Sequence, residues 1–115
     1  MSSKIYCLAS FRPKPGKEEA LFRRLQELEP NTLREEGCER YVVTRHIPNP
    51  FAEGDSYPIV FNETWRNLNA FEAHCARREI VEFFQRECVE SDGLVEAYNV
   101  CVYTDEAADY DRPMV

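Results

Sequence analysis

Four short runs in this chain read as β-strands, and in three of them bulky apolar side chains occupy both parities. Along Ile5 to Phe11, the residues Ile5, Cys7, Ala9 and Phe11 share one parity, while Tyr6 and Leu8 are large on the other. Ile59, Phe61 and Trp65 likewise stand against Val60, and Val100 and Val102 against Cys101 and Tyr103. Successive side chains of a strand point to opposite faces, and a sheet with one wet face should alternate apolar with polar. Both faces of this sheet are therefore expected to be covered.

The segments between the strands supply only half of that cover. The breaker-rich Arg12 to Gly16 stops the first strand, and a helical period starts at Lys17 with Leu21, Leu25, Leu28 and then Thr32 or Leu33. Pro30 should kink or restart this helix, and Gly37 is placed to end it. A second strand, about Glu39 to Ile47, is rich in Tyr, Val and Thr. Pro48 to Pro58 reads as an exposed loop, and Ile59 to Trp65 as the third strand. Asn67 or Asn69 then caps a helix in two pieces, about 69–76 and 78–90, whose apolar positions include Phe71, Cys75, Ile80, Phe83 and Phe84. The last strand runs from about Leu94 to Tyr103. The order β-α-β-β-α-β is the ferredoxin-like split unit, an α+β fold with a four-stranded antiparallel sheet. Two helical layers cover one face of such a sheet; the other is expected to pack on a second copy in a two-fold homodimer.

Size and charge narrow the partners. The chain has 115 residues, one domain's worth, divided here into a folded unit over 1–103 and an acidic tail over 104–115. The net charge of −7 repels a phosphate backbone, so no nucleic acid is expected. No apolar run approaches the roughly 20 residues a bilayer crossing needs, so no membrane insertion is expected. No charged-then-apolar leader opens the chain, which with five scattered cysteines and no C-x-x-C pair suits reduced thiols in a cytoplasmic protein. Nucleotide-binding glycine motifs and metal-ligand spacings are missing, and the two histidines, His46 and His74, lie too far apart in sequence to suggest a metal site.

The most informative stretch is Asn62 to His74. Glu63 and Trp65 lie two apart on a strand and point to one face; Phe71 and His74 lie three apart on the next helix and share a surface. A strand followed at once by a helix that folds back brings both pairs to one pocket, with a carboxylate, an indole donor, an imidazole and aromatic walls. That composition is the usual form of a small-molecule site. Each member taken singly has a plain structural account: a core tryptophan, a carboxylate bridging to a helix arginine, a satisfied core histidine. Tyr41 on the second strand is a further hydrogen-bond donor, Asn62 and Phe84 are further candidate contacts, and His46 at a loop edge is incidental.

Three motifs in order resemble antibiotic-biosynthesis-monooxygenase domains, the quinol monooxygenase-like members of the dimeric α/β-barrel superfamily. Phe11 to Glu19 is similar to their first-strand exit, Glu35 to Tyr41 to their E-x-G-C-x-x-Y turn, and Glu63-Thr64-Trp65 with Ala73-His74 to their E-x-W and A-H signatures. The resemblance implies a dimeric barrel with a pocket in each subunit, in which a small quinol or phenolic aromatic is oxidised by O2 without flavin, heme or metal. In that reading His74 is the base, Trp65 and Tyr41 are hydrogen-bond donors, Glu63 orients a partner, and Phe71, Phe84 and Asn62 contact the substrate. Two departures bear on it. Glu79 stands where many quinol-branch members carry a second histidine. Ala9, His74 and Phe84 stand where heme-degrading relatives carry asparagine, tryptophan and histidine, which argues against heme degradation. The alternative is a non-redox protein on the same scaffold, either an isomerase of small phosphorylated or carbonyl metabolites or a ligand-binding dimer, with Arg45, Arg77 and Arg78 as candidate anion contacts.

Overall fold

The computed structural model describes residues 3–107. Strands β1 (Ile5–Pro13), β2 (Cys38–Arg45), β3 (Ile59–Trp65) and β4 (Val95–Thr104) form one antiparallel sheet in the order β2-β3-β1-β4. Helices α1 (Glu18–Gln26) and α2 (Glu29–Leu33) follow β1, and α3 (Leu68–Ala76) and α4 (Arg78–Phe83) follow β3. The fold is α+β and ferredoxin-like. No helix among the described residues is long and apolar enough to cross a membrane.

The two helical layers break where the sequence breaks. Pro30 sits in the first turn of α2, where its missing N–H costs no intrahelical bond. Of the two residues that could continue the inward stripe, Thr32 is buried and Leu33 exposed. Asn67 caps α3, its side-chain oxygen accepting from the Ala70 N–H at 2.8 Å. Arg77 then adopts an extended conformation and separates α3 from α4. The second helix differs from the expected form at its end: Phe84–Val89 is a π-helical segment, a widening that periodicity alone does not announce. Cys7, Ala9, Phe11, Ile59, Phe61, Tyr41, Val43 and Trp65 face the helices, with Leu21, Leu25, Leu28, Ile80 and Phe83 packed against them.

The opposite face carries Tyr6, Leu8, Val42, Val60, Cys101 and Tyr103, partly or well exposed. On the outer edge of β2, the Val43 N–H donates to Glu29 Oε2 at 2.9 Å, so a side chain occupies a donor that an edge strand would otherwise present. The start of the acidic segment returns to β1, with Tyr6 Oη donating to Asp105 Oδ2 at 2.8 Å and Ser3 Oγ to Glu106 Oε2 at 2.8 Å. The rest of that tail, from 108 onward, lies outside the described residues.

The turn from α2 into β2 is pinned at Gly37. Its φ of +86° favours glycine, and a Cβ there would lie 2.5 Å from Ala70 Cβ on α3. Its carbonyl also accepts from the Arg66 N–H at 2.8 Å. Gly37→Ala is therefore expected to lose about 2–4 kcal/mol, combining left-handed strain with a clash. Gly16→Ala, at φ +76° but in open space, is expected to lose only about 1 kcal/mol. Urea denaturation of the two variants checks this, and equal losses would show that the contact with α3 carries no weight.

Candidate functional site

Register brings the polar residues together before any helix is added. Tyr41 on β2 pairs with Glu63 on β3, which pairs with Cys7 on β1, which pairs with Val102 on β4. Directly opposed residues share a face, so these four form one row on the helix-facing side. Above the row lies a cavity of about 440 Å³. Phe11, Phe61, Phe71, Phe83, Phe84 and Leu25 supply much of its wall, and Tyr41, Glu63 and His74 converge on it. Among the described residues its lining contains no lysine or arginine.

Glu63 is the buried charge of this site. Trp65 Nε1 donates to its Oε1 at 2.9 Å. Burial pushes the carboxyl up to about 7, while the Trp65 and Cys7 hydrogen bonds oppose the shift and Glu35 adds to it. Near neutral pH this group is thus divided between acid and carboxylate. Tyr41 stacks on Phe61 with ring centroids 4.2 Å apart and meets His74 edge-on at 5.2 Å. Burial, then Glu63, pushes its phenol well above the ordinary value, with the Thr32 hydroxyl opposing; it remains a neutral O–H.

His74 reaches the cavity from α3 and is braced from behind. Its ring lies over Trp65 at 4.6 Å between centroids, and its Nδ1 is 3.0 Å from Glu35 Oε2. Burial lowers the imidazole below its ordinary value, Glu35 opposes that, and Arg77 adds to it, so the ring is neutral and its free nitrogen can accept a proton. Arg77 closes the outer side. Its Nε is 2.7 Å from Glu35 Oε2, an ion pair in which the N–H is not aimed at the oxygen. Its Nη2 donates to Thr32 Oγ1 at 3.0 Å and to Glu79 Oε1 at 2.9 Å.

Measured against the sequence reading, His74, Glu63, Tyr41, Phe71 and Phe84 all line the cavity. Two expectations need correction. Trp65 does not line it: the indole is fully buried behind His74 and its N–H is taken by Glu63, so it supports the site and offers no donor to a ligand. Asn62 points to the other face, one residue out of parity with Glu63, where its Nδ2 donates to Thr44 Oγ1 at 3.1 Å. The pairing of Glu63 with a helix arginine is not seen either. Sequence reasoning passed over Glu35 and Thr32, which complete the network. The signal for Glu35 was present in the Glu35-to-Tyr41 motif, whose first residue drew no role.

The far wall includes Phe84, Gln85 and Val89, all from the π-helical segment, a form that recurs at functional sites. Val81 and Val89 line the cavity and are exposed, as are Cys75 and Val100, so the cavity opens to solvent beside this segment. Among the described residues no cluster of His, Cys, Asp and Glu could hold a metal ion.

The Glu63 shift makes a stability prediction. Its folded value, about 7, lies above the ordinary 4.5, so the folded protein binds this proton more tightly than the unfolded chain. Stability from this group is full below about pH 4.5 and is lost as pH rises through 7, by on the order of 3 kcal/mol. Glu63→Gln is expected to remove that loss, gaining on the parent between pH 5 and pH 8. His74, with its lowered value, acts in the opposite sense in both proteins and drops out of the comparison. Urea titrations of both proteins at several pH values check the slope; parallel curves would count against a strained carboxyl.

Comparison with known proteins agrees with this architecture. Residues 4–86 match the family model described as antibiotic biosynthesis monooxygenase. Protein SO0527 from Shewanella oneidensis is 35% identical, with a TM-score of 0.74 over 90% of this chain and 92% of that one. PA3566 from Pseudomonas aeruginosa is 24% identical, with a TM-score of 0.70 over 93% and 98%. A DABB-family protein of ferredoxin-like fold from Mesorhizobium loti, 15% identical over 91% and 99%, superposes with a TM-score of 0.69. No curated protein matches the sequence. With a cavity built on the E-x-W and A-H residues and a family match across most of its length, the chain belongs to the antibiotic biosynthesis monooxygenase family.

Proposed function

We propose that this protein is a monooxygenase that oxidises a small, neutral phenolic or hydroquinone substrate with O2 and needs no resident cofactor. The observation that carries this reading is the cavity itself, with apolar walls, three convergent groups able to handle a hydroxyl proton and, among the described residues, no cation. A phenol entering it leaves its ring among aromatic side chains and its O–H near His74, Tyr41 and Glu63. His74, neutral and facing the cavity, takes the proton. The Tyr41 hydroxyl donates to the phenolate that forms, in surroundings where such a bond is stronger than in water. An electron-rich phenolate can pass an electron to O2; recombination on a ring carbon gives a hydroperoxide, and loss of water leaves a carbonyl. One oxygen atom ends in the quinone and the other in water, and the substrate supplies all the electrons.

The alternative, an anionic metabolite as substrate, has less to support it. Among the described residues such a ligand would meet the Glu63 carboxyl and no positive side chain. Arg45 is paired with Glu18 and Glu19, Arg77 with Glu35 and Glu79, and Arg78 with Glu82.

Oxygen uptake by metal-stripped protein with a panel of hydroquinones and naphthols tests the reading. His74→Ala is expected to lower the rate roughly 100-fold or more; uptake at the spontaneous background in the parent protein would overturn it.

The protein is further proposed to work as a homodimer through the open face of the sheet. Leu8 and Tyr103 are among the apolar side chains exposed there, and Tyr6 lies directly across from Tyr103 and Leu8 from Cys101. An interface of roughly 1,200–2,000 Å² is expected. Sedimentation should give a dimer at micromolar concentration, and Leu8→Glu should shift it to monomer. A parent protein that sediments as a monomer would defeat this reading.

A further inference from the structure

We propose that Glu35 is a positioning residue that fixes the tautomer of His74, held to that task by the Arg77 guanidinium. The inference rests on the reading that His74 takes the substrate's proton.

A neutral imidazole carries one N–H, and the partner of one nitrogen decides which nitrogen is left as base. Glu35 Oε2 lies 3.0 Å from Nδ1, and a carboxylate only accepts. The proton therefore sits on Nδ1, and the Nε2 lone pair is left for the cavity. Glu35 is not among the lining residues, so it acts on a ligand only through His74.

The carboxylate is itself fixed in place. Arg77 Nε is 2.7 Å from the same Oε2 that meets the ring, and Arg77 Nη2 reaches Thr32 and Glu79. Thr32 is fully buried, so this arm of the guanidinium is anchored in the core while the other nitrogen meets the carboxylate behind His74. Glu79, at the place of the family's second histidine, accepts from the same Nη2 of Arg77 and adds no imidazole to the cavity. Around His74 the charged and titratable groups are Glu35 and Arg77 on the outer side, with Tyr41 and Glu63 toward the cavity. An ordinary surface ion pair between Glu35 and Arg77 would explain none of this convergence, since such pairs contribute little by themselves.

The test is imidazole 15N nuclear magnetic resonance on the ligand-free protein across pH, with His46→Gln used to assign the only other histidine. The parent is expected to show neutral His74 protonated on Nδ1. Glu35→Gln, which can still accept from Nδ1 but has no charge, is expected to keep that form and titrate at lower pH. Glu35→Leu is expected to move the proton to Nε2. With a hydroquinone substrate, Glu35→Leu should lower kcat by about 10- to 100-fold with KM within about twofold. A parent His74 protonated on Nε2, or a Glu35→Leu protein that keeps the Nδ1 form, would overturn the proposal. The parent measurement decides even if Glu35→Leu does not fold. Because the resonance readout needs no turnover, it also stands apart from the oxygen-uptake result.

Discussion

A carboxyl group enclosed among phenylalanines is costly to ionise, and the arrangement around Glu63 follows from having to accommodate it. Its neighbours across the sheet are Tyr41 and Cys7, set by register, and the indole two residues along its own strand supplies the N–H that meets it. Trp65 in turn forms the floor on which the His74 ring lies. Desolvation still prevails over these hydrogen bonds, as expected when two neutral donors oppose the removal of a charge from water. The balance leaves a group that can hold or release a proton near pH 7, inside a cavity otherwise suited to oily rings.

Three parts of the site come from one short stretch of chain. Between Glu35 and Tyr41 the chain delivers the carboxylate behind His74, the left-handed glycine that lets the turn sit against α3, and the phenol in the cavity. These tasks are mechanically linked. Gly37 contacts Ala70 on the helix that carries His74, so the same close approach that seats the turn also sets the distance between Glu35 and the ring. A motif that looks in sequence like a connection between a helix and a strand is, in three dimensions, one side of the site.

Much of the fold was legible because it rests on periodicity. The limits of β3 were read without error, the restart at Pro30 and the cap at Asn67, one of two candidate asparagines, each have a local chemical cause, and the break near residue 77 follows the apolar pattern. The family match and the ferredoxin-like order agree with the motifs in the chain. What escaped notice was decided by geometry across the chain. Asn62 was grouped with Glu63 by adjacency, though strand parity separates neighbours. Trp65 offered an indole donor, and only the structure shows that Glu63 takes it. Glu35 sits in a charged, aperiodic stretch and meets His74 across 39 positions; its motif marks the residue without naming that partner. Thr32 and Leu33 fitted the helical stripe equally well until the break at Pro30 reset the phase.

The π-helical segment at the mouth of the cavity has a consequence for how such a site changes over time. A π turn holds one residue more than an α turn, and one residue corresponds to about 100° of helix rotation. Loss of a single codon between Phe84 and Val89 would let the segment close into a regular helix and swing the downstream wall residues around its axis. Tyr41, Glu63 and His74 lie on other elements and would keep their places. Cavity shape and the Tyr41, Glu63 and His74 cluster are thus encoded in separate parts of the chain, so an indel in one can reshape the cavity while the other is inherited unchanged.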